Sequence, residues 1–151
     1  YQVFMLIFIL MVHACSIDGC PDGNYIIFGH SYGEWAVTDC VKIFKLSETD
    51  LYFDTKARER KPDNRKFKQL SESEFIKAQY LWDLLPVQLL SMPDTTFGCP
   101  DCRDQGGIIL KFSDGDQSLR FSIDQDHNEI PEFLHAYVNK INEIIMLIEV
   151  R

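Results

Sequence analysis

Ile108-Ile109-Leu110-Lys111-Phe112-Ser113-Asp114-Gly115-Asp116-Gln117-Ser118-Leu119-Arg120-Phe121-Ser122-Ile123 decides how this chain folds. Ile108 to Phe112 and Leu119 to Ile123 are short runs rich in Ile, Leu and Phe, interleaved with Lys, Arg and Ser, as half-buried strands are. Asp114-Gly115 between them is a strong short-range hairpin signal. Downstream, from near Asn128, the period changes. Leu134, Tyr137, Val138, Ile141, Ile144, Ile145 and Ile148 recur on one face of a helix, with Pro131 at a tolerated early position. That helix is expected to pack on the sheet.

Upstream, Ser71-Glu72-Ser73-Glu74 reads as a capping box with Ser71 as N-cap and Glu74 at N3. Leu70 and Phe75 stand at staple positions. Phe75, Ala78, Trp82 and Leu85 continue one helical face until Pro86 ends or kinks it. Before it, Asn24 to Gly29, Thr38 to Leu46 and Leu51 to Asp54 read as three strands of an antiparallel meander, with one slip in the second that suggests a bulge. The element order is βββαββα. The expected fold is α+β, an antiparallel sheet of about five strands packed against two helices.

The chain's 151 residues make one domain, and its 46% hydrophobic and 25% charged residues are ordinary globular composition. A net charge of -8 argues against nucleic acid as a partner, because phosphates demand a basic face. Lys56 to Lys68 departs from this, with seven basic residues against two acidic ones. Pro62, Asp63 and Asn64 interrupt it, so it reads as a solvated loop ahead of a phosphate or lipid-headgroup site.

Residues 3–12 are unbroken apolar residues, too few to span a bilayer and suited to the apolar region of a secretory signal. The chain opens on Tyr1 rather than Met, so a few upstream residues are expected. Val12-His13-Ala14-Cys15 resembles a bacterial lipoprotein box with Cys15 as the lipid acceptor, although His13 is unusual there. Plain secretion after cleavage near Ala14, and no export at all, are the other readings. Residues 1–15 are thus expected to be an export segment and 16–151 a single domain, tied to the membrane by a lipid anchor at the cell envelope. Export implies an oxidising compartment.

Gly98-Cys99-Pro100-Asp101-Cys102-Arg103-Asp104-Gln105-Gly106-Gly107 is the sharpest chemical feature. Two cysteines at this spacing can pinch a metal ion, form a redox centre or close a structural turn. The pair leads into a strand rather than a helix, which disfavours a thioredoxin-like centre. Zinc needs four ligands, and no second such pair exists. Cys99 and Cys102 with Asp101 and Asp104 remain the metal alternative. Export favours disulfides among Cys20, Cys40, Cys99 and Cys102, whose three possible pairings sequence does not choose between. Cys20–Cys40 with Cys99–Cys102 is the first guess.

Asp124-x-Asp126-x-Asn128 opens like a calcium loop, but Glu129 and His135 occupy its glycine and carboxylate positions. Helix capping is the plainer reading. His30, His127 and His135 are scattered in sequence, and no nucleophile elbow or phosphate-binding glycine motif is present. His30, Tyr32 and Trp35 offer a polar, aromatic binding surface, with sheet packing as the ordinary reading of the aromatics.

Phe28-Gly29-His30-Ser31-Tyr32-Gly33 with Cys40-Val41-Lys42-Ile43-Phe44-Lys45, together with Gly98 to Gly107, resembles an uncharacterised group of small predicted lipoproteins from Bacteroidetes-type bacteria. The resemblance implies export and bacterial origin, and no activity. It departs at Trp35, where the group tends toward cysteine, which removes a local disulfide to Cys40. The expected function is a non-catalytic envelope protein, lipid-anchored, that binds a ligand or a protein. The alternatives are a thiol-based metal (zinc) or redox site at Cys99 and Cys102, and a secreted inhibitor or immunity-type protein acting through the Tyr32 to Ala36 loop.

Overall fold

The computed structural model describes residues 23–32, 41–59, 64–100, 102 and 105–150. The chain is α+β. Among the described residues one sheet carries seven strands: β1 (Tyr25–Ser31), β2 (Ile43–Ser47), β3 (Leu51–Asp54), β4 (Phe67–Gln69), β5 (Thr95–Phe97), β6 (Gly107–Ser113) and β7 (Ser118–Asp124). Their order is β4-β3-β2-β1-β6-β7-β5. Helix α1 (Glu72–Ala78) lies between β4 and β5, and α2 (Glu132–Leu147) closes the chain.

The expected hairpin is β6–β7, registered from Gly107↔Asp124 to Ser113↔Ser118, with Gly115 at φ 91° in its turn. Two further strands take the sheet beyond the expected five. β4 straddles the end of the basic segment, and β5 follows the Met92-Pro93-Asp94 break. Each has three residues, too few to establish a period of two against charged or turn-forming neighbours. β5 runs parallel to β7, so the sheet is mixed rather than antiparallel. The β2 slip is not a bulge, for its pairing with β1 is unbroken from Ser47 to Ile43.

β1 also runs two residues past Gly29, taking in His30 and Ser31, because Ile108 and Gly107 of β6 continue to pair with it. All seven stripe residues of the last segment are buried. They pack over Ile26, Phe28, Phe44, Leu46, Ile108, Leu110, Phe121 and Ile123 on one sheet face. Each such side chain contributes about 1.5–3 kcal/mol on burial.

α1 is shorter than its pattern suggests. It ends at Ala78 and tightens into 3-10 turns at Gln79–Leu81 and Val87–Ser91. Ser71 has extended N-cap geometry but makes no side-chain cap bond. Its hydroxyl instead meets that of Ser73 at 2.9 Å, while Glu74 pairs with Lys77 at 2.8 Å. The capping box therefore does not form. Leu70 and Phe75 do pack on the core.

The opposite face of the sheet carries a smaller apolar cluster of Ile27, Val41, Ile43 and Ala57, flanked by Tyr25, Tyr32, Phe67 and Ile109. Directly paired positions put side chains on one face. The registers therefore align Tyr52, Lys45, Ile27, Lys111 and Arg120 in one row across β3, β2, β1, β6 and β7.

Candidate functional site

β5 and β7 run parallel and end together, and the cysteine loop leaves from that corner. Gly98 follows β5 at φ +70°, and a Cβ there would lie 2.7 Å from the Asp124 Cβ. Only glycine meets both demands comfortably. Cys99 and Cys102, both exposed, bring their sulfurs to disulfide distance with Cα atoms 5.5 Å apart. The Cys102 N–H donates to the Cys99 carbonyl at 3.1 Å, closing the turn between them.

Asp124, 1% exposed, is the anchor beneath this loop. Its Oδ2 accepts the Cys99 N–H at 2.9 Å, and its Oδ1 accepts the Asp126 N–H at 2.9 Å and the Gln105 side-chain amide at 3.3 Å. Burial alone would push this carboxyl up. The backbone N–H groups of Asp126, Cys99 and Gln125 and the Gln105 amide outweigh it and hold the group below its ordinary value. The Gln125 amide donates to the Gln105 carbonyl at 3.0 Å, fixing the far side of the loop.

Cys99, Cys102, Gln105, Asp124, Asp126 and Glu129 line a cleft of about 210 Å³. Three carboxylates there oppose a further negative charge, so a thiolate on either cysteine is disfavoured. The paired sulfurs offer a metal no thiolate, and zinc at Cys99 and Cys102 requires the reduced pair. Among the described residues no group of three or more His, Cys, Asp or Glu is placed to hold a metal ion. Cys15, Cys20, Trp35, Cys40, Asp101 and Asp104 lie outside the described residues, and so does a Cys20–Cys40 bond.

His30 and Tyr32 are brought toward this corner. His30 sits on β1, and its Nε2–H donates to Asn142 Oδ1 of α2 at 2.6 Å. Burial lowers its pKa most, the Asn142 bond opposes that, and the Lys42 charge lowers it further. A neutral imidazole held by an amide has no carboxylate to orient it as a base. Tyr32 packs over Gly106, where φ is +70° and a Cβ would meet the ring at 2.5 Å.

His127 and His135, on the 3-10 turn and in the first turn of α2, stack with ring centres 4.4 Å apart. The His135 Nε2–H donates to the Ile130 carbonyl at 3.1 Å, so that ring is also held by the backbone. Asp126 caps only the 3-10 turn at His127–Glu129, accepting the Asn128 N–H at 2.9 Å, whereas α2 starts behind Pro131 with no side-chain cap. The structural role of Asp124 and the part of Gln105 are what the sequence reading lacked. The Asp124-Gln125-Asp126 spacing marks a turn but carries no sign of a partner 25 residues away.

No helix among the described residues is long and apolar enough to cross a membrane. No family model matches the chain, and no curated protein matches it at a significant level.

Proposed function

We propose that this chain is an exported, lipid-anchored, non-catalytic protein of the cell envelope that binds a ligand or a protein partner. The observation that carries the reading is that the reactive groups of the candidate site are tied into structural contacts. Cys99 and Cys102 face one another, Asp124 is taken up by loop N–H groups, and His30 is held by Asn142. An exposed cysteine pair at disulfide distance suits an oxidising compartment. The apolar run at residues 3–12 and the lipoprotein-like box ending at Cys15 supply a route to it.

The test is mass spectrometry of the full chain from a bacterial membrane fraction, alkylated before and after reduction. The expected product begins at an acylated Cys15, with Cys99 and Cys102 alkylated only after reduction. Cleavage near Ala14 without an acyl group would keep export and remove the anchor. An unprocessed chain with free thiols would overturn the reading. Free thiols with stoichiometric zinc would move the assignment to the thiol-based site.

A further inference from the structure

This acidic chain places three cations on one line across its sheet. Lys45, Lys111 and Arg120 occupy the row defined above, with Ile27 between the two lysines. With strands about 4.8 Å apart, the line from Lys45 to Arg120 spans about 14 Å. Both lysine ammonium groups converge on one ring, at 4.5 and 5.5 Å from the Tyr25 centre, and Lys45 also stands 5.9 Å from the Phe67 centre.

Like charges directly opposite in a sheet destabilise it, and Lys111 pairs directly with Arg120. None of the three makes an ion pair with a carboxylate among the described residues. Asp94 takes the Arg120 backbone N–H at 2.8 Å rather than its guanidinium. The basic segment contrasts with this, because Lys56 is paired with Glu59 at 2.8 Å and Arg65 with Asp54 at 3.1 Å. Two lysines set over one tyrosine ring beside an arginine, with no carboxylate paired to any of the three among the described residues, are what an anion site needs and what a merely stable sheet avoids.

We infer that the row Lys45–Lys111–Arg120, over Tyr25, binds a ligand bearing two or more phosphate groups. Lysines supply point charges for phosphate, and arginine a bidentate fork. Ser122 lies on the same face, paired with Ile109, and adds a hydroxyl donor. The inference names the ligand class for the binding role proposed above, on a surface apart from the cysteine cleft. The phosphates could belong to a soluble molecule or to a lipid headgroup.

The experiment uses the full chain in uncharged detergent, with inorganic tripolyphosphate as one probe and neutral vesicles containing an anionic phospholipid as the other. Saturable binding to either is expected, weakening about ten- to hundredfold in Lys45→Gln and Lys111→Gln but not in Lys56→Gln. Tripolyphosphate binding would assign a soluble ligand, and binding to vesicles alone a headgroup. A second readout is thermal. Lys111→Gln should melt above the unliganded parent, because a repulsion is gone, and whichever probe binds should raise the parent's Tm by more than the variant's. No binding to either probe at low salt, or binding indifferent to Lys45 and Lys111, would overturn the inference. Because the assay reads the purified chain, a failure here is distinct from a failure of the export reading, which rests on the processing of Cys15.

Discussion

Asp124 Oδ2 accepts the backbone N–H of Cys99 at 2.9 Å, across 25 residues of sequence. That bond joins the end of β7 to the loop that leaves β5, where the two strands run parallel. The cysteine turn is therefore held twice, by its own sulfurs and by a buried carboxylate beneath it. Either restraint can be removed with the other left in place.

Removing the charge is the first case. Asp124→Asn should cost about 1–3 kcal/mol, since a charged acceptor of several N–H groups becomes a neutral amide with one acceptor oxygen. The parent carboxyl is depressed, so its contribution is complete above the unfolded-state pKa and fades as pH falls through the folded-state value. Urea unfolding from pH 7 downward should therefore show the parent losing stability below about pH 4, with the variant losing less over that window. Parallel curves would contradict this account of Asp124.

Removing the sulfur bond is the second. Closing so short a loop is worth on the order of 2 kcal/mol in the chain-entropy model. Cys99→Ser with Cys102→Ser should lower the urea-derived stability by about that much. Reductant should lower the parent by about that much more than it lowers the double variant, in which only a bond between Cys20 and Cys40 is left to respond.

Gly106 tests how closely Tyr32 is applied to the loop. Gly106→Ala should destabilise by about 1–3 kcal/mol, from positive φ and from contact with the ring. Combined with Tyr32→Ala, the steric part should disappear and the backbone part remain. A double-mutant cycle of unfolding free energies measures the difference.

Tyr137 reports on the other side of the sheet. Its hydroxyl, buried within the core, donates to the Leu81 carbonyl at 3.3 Å, and burial raises its pKa well above the usual phenol value. Tyr137→Phe should cost about 1 kcal/mol, the net worth of one hydrogen bond. Tyr137→Ala should cost about 3–5 kcal/mol through the cavity it leaves. Thermal melts of the two variants separate the bond from the packing.

How much of this was legible in the sequence depended on repetition. The stripe from Leu134 to Ile148 repeats a helical period many times, and every member is buried. The Asp114-Gly115 hairpin carried both its turn chemistry and its alternation. β4 and β5 hold three residues each, and one turn of a period cannot outweigh neighbouring charges or prolines. The helical face through Trp82 was legible, but not that the helix would tighten after Ala78 and let the Trp82 indole N–H donate to the Ser47 carbonyl at 3.1 Å.

The cysteine turn was legible because it is local, whereas its anchor was not. Likewise Lys45 and Lys111 looked like ordinary outward positions of separate strands. Only the register of both strands against β1 sets them beside the same tyrosine.

The position of β1 bears on when this protein can finish folding. Seven registered pairs join β1 to β6, with Tyr25 opposite Ser113 and Ser31 opposite Gly107. β2, β3 and β4 can assemble on β1 by short steps as the chain appears. The other flank stays empty until a partner arrives about 80 residues later, and such distant pairings are slow to close. Until then β1 is a bare strand edge, apolar at Ile26, Ile27 and Phe28, and open to pairing with other chains. Whatever holds the nascent chain during that interval has one short segment to shield.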